Sequence, residues 1–248
     1  MSKIRVTIWN EFRHEKTEEE AKSVYPNGIH AFIKSKLEEI DSELEIRLAA
    51  LDDPEQGLPD DVLNNTDVLV WWGHCAHGEV NDDLVERIRW RVHNCGMGFI
   101  ALHSAHESKP FRRIIGTSGS LNWGDEQQEI VWNMLPNHPI AQGIPEYFEL
   151  PDEEMYGEPF NIPQPDAVVF GSWFKNGNIF RSGCCFQCCL GKVFYFQPGH
   201  ETRRSYYNPY VIRIIDNAIH WAVPNTEIGM PVNVASRHCD NIVEQLAK

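Results

Sequence analysis

The sequence lacks long hydrophobic runs, and it is poor in positive charge. No apolar stretch approaches the ~20 residues that a helix needs to cross a bilayer, and the N-terminal MSKIRVTIWNEFRHE lacks the architecture of a signal peptide. The 22 lysines and arginines are outnumbered by 36 aspartates and glutamates, giving a net charge of −14. Because nucleic acids and anionic membranes are bound through cations, neither is an expected partner. We expect a cytoplasmic protein that acts on a neutral small molecule.

A disulfide framework is also not expected, because the number of cysteines, seven, is odd and the sequence shows no secretion signal. Four of them, Cys184, Cys185, Cys188 and Cys189, lie within a predicted strand. Alternate residues of a strand point to opposite faces, so the pair 184/188 would face away from the pair 185/189. We therefore interpret them as small apolar strand residues and not as a metal site.

Strand-like and helix-like segments alternate along the first half of the chain. Strands are predicted at 3–9, 44–50, 67–72 and 98–103, and helices at 28–40 and from 82 to a stop at Gly96. This alternation predicts an α/β fold with a doubly wound, mostly parallel sheet flanked by helices.

The second half begins with a less regular segment. Residues 104–165 read as insertions and connections, followed by strands at 166–174, 178–189 and 192–199 and by a last helix that contains Val211 and Ala222. We predict one domain over residues 1–224. The polar tail 225–248 is predicted to be a subunit-contact arm, and a homo-oligomer is expected.

Histidines cluster where predicted strands end. His74 and His77 follow the third strand, His103 and His106 follow the fourth, and His200 follows the last. The carboxyl ends of parallel strands line the ligand crevice of an open α/β sheet, so these five side chains should converge. Imidazole titrates near neutrality and binds metals, which suits acid–base or metal-assisted chemistry. A single such histidine is more often structural, but five together favour a functional site.

One interpretation of this histidine cluster is that it binds a metal ion. His-x-x-His occurs at 74/77 and at 103/106, but neither copy lies on a predicted helix, where one-face zinc geometry would be expected. Zinc or another divalent transition metal, held from among His74, His77, His103 and His200, is therefore an open alternative.

Other side chains are candidates for the same crevice. His14 and His30 flank the first crossover, and His30 starts a helix that could face the crevice. Glu154 and Tyr156 belong to an acidic run, and Trp72 could offer an apolar face to a sugar ring, although a tryptophan there is as often core. Ser104 lacks the Gly-x-Ser-x-Gly setting of a nucleophile elbow, so a serine hydrolase is a weak alternative.

Together, several motifs resemble the trehalose-utilisation (ThuA-like) family. They are WNEFRHE, YPNGIH, WWGHCAHG, LHSAH, EEMYGEPF, FRSG and FYFQPGHE, and the resemblance covers roughly residues 4–222. It implies a flavodoxin-like fold similar to class I glutamine amidotransferases. Those enzymes carry a cysteine nucleophile where this chain has His103-Ser104-Ala105, so the resemblance does not imply a glutaminase.

The resemblance implies an enzyme of trehalose or disaccharide utilisation, acting on a keto-disaccharide or related sugar by isomerisation or glycosidic cleavage. His103, His106, His200 and Glu201 are the predicted catalytic residues. The predicted sugar-binding residues are Trp72, His74, His77, Glu154, Tyr156 and His30. The alternative is a non-catalytic sugar-binding or regulatory module that uses the same pocket.

Overall fold

The structure, a computed structural model, describes residues 3–224 and contains one nine-stranded sheet in the order β2-β1-β3-β4-β9-β8-β7-β5-β6. The strands are β1 Ile4–Asn10, β2 Leu44–Ala50, β3 Val68–Trp72, β4 Gly98–Leu102, β5 Asn122–Asn133, β6 Tyr147–Gly157, β7 Ala167–Phe174, β8 Ile179–Cys188 and β9 Gly191–Phe196. The helices are α1 His14–Thr17, α2 Glu19–Val24, α3 Ile29–Ile40, α4 Asp60–Asn64, α5 Asp82–Cys95, α6 Lys109–Ile115 and α7 Pro209–Ala222. The predicted tail 225–248 lies outside the described residues.

The sheet has a parallel half and an antiparallel half. Strands β2, β1, β3, β4 and β9 pair in parallel, and β8, β7, β5 and β6 continue the sheet with antiparallel pairing. The α/β fold predicted from the sequence is confirmed, with the antiparallel half as a large addition to the parallel sheet. Strands β5 and β6 correct the expectation that residues 104–165 hold only insertions and connections.

Helices cover both faces of the parallel half. Along β3, Val68, Val70 and Trp72 pack into one core with α3 and α7, whereas Leu69 and Trp71 pack into the other core with α5 and α6. Because both faces are covered, every residue of this strand is buried. This arrangement leaves the carboxyl ends of the parallel strands as the edge where polar side chains gather.

Asn81 caps the N-terminus of α5. Its side chain accepts a hydrogen bond of 2.8 Å from the backbone N–H of Asp83, and Gly96 ends the helix in the left-handed conformation. We expect Asn81→Ala to lower the free energy of unfolding by about 1 kcal/mol, measured by urea denaturation. The control is Asn64→Ala, at an exposed helical position, which should change it far less; equal losses would contradict the capping role.

Candidate functional site

The site is built where four parallel strands end. Glu11 follows β1, His74 follows β3, His103 follows β4, and His200 and Glu201 follow β9. A hydrogen bond of 3.0 Å from Trp72 Nε1 to the carbonyl of Gly199 ties the end of β3 to the turn after β9. Parallel pairing therefore brings residues from distant parts of the chain to one edge of the sheet.

Glu201 lies at the centre of this edge and is almost completely buried. Its Oε1 is 2.8 Å from Nδ1 of His14 and 3.0 Å from Nδ1 of His74. Burial alone would raise the pKa of Glu201, but these two histidines hold it well below its usual range. The same carboxylate raises the pKa of His14.

His103 occupies the turn after β4 with a φ of +52°, in the left-handed region, and its side chain is fully buried. Its Nδ1 donates a hydrogen bond of 2.9 Å to the carbonyl of Gln197, and its Nε2 lies 3.1 Å from Oε2 of Glu154. Burial acts to lower the pKa of His103, but the Glu154 carboxylate outweighs it and raises the pKa to about 9. His103 is thus an imidazolium at neutral pH.

Glu154 and Tyr156 lie beside this imidazolium. Although burial opposes it, the charge of His103 lowers the pKa of Glu154, and burial raises the pKa of Tyr156 well above its usual value. The Tyr156 hydroxyl is 2.9 Å from Oγ of Ser104 and 3.5 Å from Nε2 of His103. The result is an ionised carboxylate and a protonated phenol next to each other.

Both groups line a cavity of about 510 Å³ at the carboxyl edge of the sheet. Trp123 stands at this cavity with 71% of its surface exposed. The lining residues are His74, His77, Ser104, His106, Glu107, Leu121, Trp123, Glu154 and Tyr156. A cavity of this size with an exposed aromatic ring and a few polar groups is typical of a small-molecule site.

Three histidines near this cavity are uncharged at neutral pH. Burial lowers the pKa of His77 and His200 to about 4 and that of His106 to about 3. His106 Nδ1 donates to the carbonyl of Gly119 over 2.7 Å, which leaves Nε2 as an acceptor. His200 Nδ1 accepts from the backbone N–H of Thr202 at 3.3 Å, so Nε2 carries its proton.

Two buried carboxylates that sequence reasoning did not single out hold the loops of the site. Glu11 accepts hydrogen bonds of 2.8 and 2.9 Å from the backbone N–H groups of Cys75 and Ala76. Glu153 accepts from the N–H groups of Gly199 and His200, at 2.9 and 3.2 Å. Each carboxylate lies in a motif noted above, WNEFRHE or EEMYGEPF, but neither motif shows which strand ends its carboxylate connects.

Two predicted sugar-binding residues are not on the cavity. Trp72 is fully buried in the core between the sheet and its helices, so it offers no face to a sugar. His30 lies in a separate buried network, with Nδ1 3.1 Å from Nδ2 of Asn10 and its ring against Phe12. The structure places both away from the cavity, because side chains near a strand or helix end can point into the core as well as into the crevice.

The remaining predicted residues are all at this edge, but at different depths. His74, His77, His106, Glu154 and Tyr156 line the cavity, whereas His103 and Glu201 are buried and do not. The ring centroid of His200, which is also not among the lining residues, lies 5.3 Å from that of His103. The role of each residue stays a prediction.

The serine and cysteine alternatives lose support. Among residues 3–224, no histidine hydrogen-bonds to Ser104, whose Oγ is paired with Tyr156. Cys184 and Cys185 pack into the cores on opposite faces of the sheet, as predicted, and Cys188 packs with Cys184. Cys189 departs from the prediction because it lies in the turn after β8 and is exposed.

Solved structures with similar folds include ThuA-like proteins. A ThuA-like protein from Parabacteroides merdae superposes with a TM-score of 0.64 at 13% identity, covering 96% of this chain and 93% of its own. A cytoplasmic protein from Salmonella typhimurium gives 0.62 at 12% identity, with 90% and 100% covered. A glutamine amidotransferase from Thermotoga maritima gives 0.54 at 10% identity, with 89% and 98% covered. At these identities the likeness shows the fold alone.

The described residues contain no helix long and apolar enough to span a membrane. No curated protein sequence matches this chain. The family model for trehalose utilisation, ThuA, matches residues 5–222, which is nearly the whole described chain. The resemblance inferred from the motifs is confirmed, and the chain belongs to the ThuA family.

Proposed function

We propose that this protein is an enzyme of disaccharide utilisation that removes a proton from the carbon beside the ketone of a keto-sugar. Either outcome predicted from the sequence, isomerisation or glycosidic cleavage, can begin with this step. The observation that carries the proposal is the pairing of an ionised carboxylate, Glu154, with a protonated phenol, Tyr156, on one cavity wall. Neighbouring groups held in opposite protonation states are what acid–base catalysis requires.

Each group has a defined part in this step. A ketone acidifies the neighbouring C–H bond, and the Glu154 carboxylate takes the proton. The electron pair moves into a C=C bond, and the carbonyl oxygen, now an oxyanion, accepts a hydrogen bond from the Tyr156 hydroxyl. In isomerisation, Glu154 gives this proton to the former carbonyl carbon, while the hydroxyl on the deprotonated carbon passes its own proton to the oxyanion and becomes the new ketone. In cleavage, the ketone re-forms, the C=C bond moves to the next carbon as its bond to the glycosidic oxygen breaks, and that oxygen takes the proton from Glu154. His103 keeps Glu154 ionised before the step, which is the form that can take the proton.

The rest of the cavity suits a neutral sugar. Its volume of about 510 Å³ lies within the ~300–1,000 Å³ that is usual for small-molecule sites. The exposed ring of Trp123 can cover the apolar C–H face of a pyranose. The neutral His106, with Nε2 unprotonated, can accept a hydrogen bond from a sugar hydroxyl. The Salmonella relative is described as cytoplasmic, and we propose the same compartment for this chain.

Hydrogen exchange tests the proposal directly. With 3-keto-trehalose in D₂O, we expect the protein to exchange the protons next to the ketone much faster than the buffer does, measured by ¹H NMR. Trehalose, which has no ketone, should not exchange. Saturable sugar binding without exchange would contradict the proposal and support the non-catalytic binding module. The absence of both binding and exchange would also overturn it.

A further inference from the structure

A second arrangement at the same edge of the sheet is not used by the acid–base step. His14, at the start of α1, and His74, in the loop after β3, direct their Nδ1 atoms at the buried carboxylate of Glu201. Candidate ligand atoms of these three residues all lie within 4.8 Å of one another. They come from three separate segments, after β1, β3 and β9, which the sheet holds in fixed positions.

The three groups are close enough to share one ion. His14 Nδ1 is buried and 2.8 Å from Oε1 of Glu201, yet it has no partner in hydrogen-bond geometry. His74 Nδ1 is 3.0 Å from both carboxylate oxygens. Ligand atoms bound at about 2.1 Å to one ion lie about 3.0 Å apart at octahedral angles and about 3.4 Å apart at tetrahedral angles. The separations of 2.8 and 3.0 Å are close to the octahedral spacing.

The neighbouring histidines use a ring nitrogen elsewhere. His103 Nδ1 donates to the carbonyl of Gln197, and His200 Nδ1 contacts the hydroxyl and the backbone N–H of Thr202. His14 and His74 instead direct Nδ1 at Glu201, and a bound ion would replace their protons there. His77, which the sequence also suggested, belongs to no group of converging ligands among residues 3–224.

Surrounding groups support a cation at this place. His14 Nε2 lies 3.5 Å from Oε1 of Glu18, a carboxylate placed to orient the ring from behind. Glu11, His14 and Cys75 form a second close group that shares His14. His74 also lines the cavity, so an ion beside it would have an open position facing the sugar site.

We propose that His14, His74 and Glu201 bind one divalent first-row transition metal ion, with an open coordination position toward the cavity. Two histidines and one carboxylate are a common ligand set for zinc and for non-haem iron. This site goes beyond the proposed proton transfer, which uses Glu154 and Tyr156. Binding can be measured without a sugar, so either proposal can fail alone.

Cobalt titration of chelator-treated protein tests the site. We expect one Co²⁺ per chain, seen as visible d–d absorption, with displacement by Zn²⁺ and a raised melting temperature. His14→Gln, His74→Ala and Glu201→Gln should each weaken Co²⁺ binding about 100-fold or more, since each removes a ligand. Far-UV circular dichroism verifies that each variant is folded, and the two glutamine variants nearly preserve side-chain volume.

A second group of potential ligands provides the control. Asp41, Asp216 and His220 also lie within 4.8 Å of one another, on the side of the molecule formed by α3 and α7. His220→Ala should leave Co²⁺ binding unchanged. The proposal is overturned if the protein binds no Co²⁺, if His220→Ala abolishes binding, or if folded His14→Gln and Glu201→Gln proteins bind as tightly as the wild type.

Discussion

Glu154→Gln is expected to slow the exchange of the protons beside the ketone by a factor of about 10² to 10⁴, the range attributed to a positioned general base. Glutamine keeps the size and shape of the side chain but cannot take a proton at neutral pH. The loss should appear in the exchange rate at saturating keto-sugar, with a smaller change in the concentration needed for half-saturation. A change mainly in the exchange rate indicates a lost base, whereas a change mainly in the half-saturating concentration would indicate a lost binding contact.

The matched control is Glu149→Gln, which makes the same change on the same strand, β6. Glu149 is exposed and lies away from the cavity, where its Oε2 is 3.2 Å from Nε2 of Gln128. Its variant should exchange protons at the wild-type rate. Exchange by folded Glu154→Gln within tenfold of the wild-type rate would show that another group is the base.

The location of the site was predictable from the sequence because it follows from topology alone. Once β3 and β4 are read as parallel strands, their carboxyl ends must lie at one edge, which places His74 and His103 close together. The role of Glu11 was not predictable in this way. Its function depends on β1 lying next to β3, which lets its carboxylate reach the N–H groups of Cys75 and Ala76.

The antiparallel half was harder to predict for a physical reason. Strand β5 is largely exposed and polar, so it lacks the apolar alternation by which a strand is recognised. Strand β5 is instead stabilised by pairing with β6 and β7, and the register of that pairing is defined only in the folded chain. Glu154 and Tyr156 belong to this antiparallel half. The sequence therefore identified them as candidates but did not predict where in the fold they lie.

Neighbouring groups also determine protonation states that residue type alone does not reveal. His103 and His106 are three positions apart, yet the pKa of one is raised to about 9 and that of the other lowered to about 3. Both side chains are buried, so the difference comes from their neighbours: carboxylates, chiefly Glu154, raise the pKa of His103, whereas His106 hydrogen-bonds to the backbone carbonyl of Gly119. A sequence shows two equivalent histidines, whereas the fold makes one charged and the other neutral.

The buried pair His103–Glu154 should also make stability depend on alkaline pH. The pKa of His103 is raised from an unfolded value of 6.5 to about 9 in the fold, so the folded state binds more protons between these values. Its contribution is fully present below pH 6.5 and is lost as pH rises through about 9. The shift corresponds to about 3 kcal/mol of unfolding free energy.

Urea denaturation of chelator-treated protein between pH 6.5 and pH 9.5 measures this contribution. The unfolding free energy of the wild type should fall by about 3 kcal/mol more than that of Glu154→Gln, in which a buried His103 has no carboxylate to keep it charged. Glu149→Gln should follow the wild-type curve. Parallel curves for the wild type and Glu154→Gln would mean that His103 is already neutral in the fold. Glu154 would then need another neighbour to keep it ionised beside the cavity.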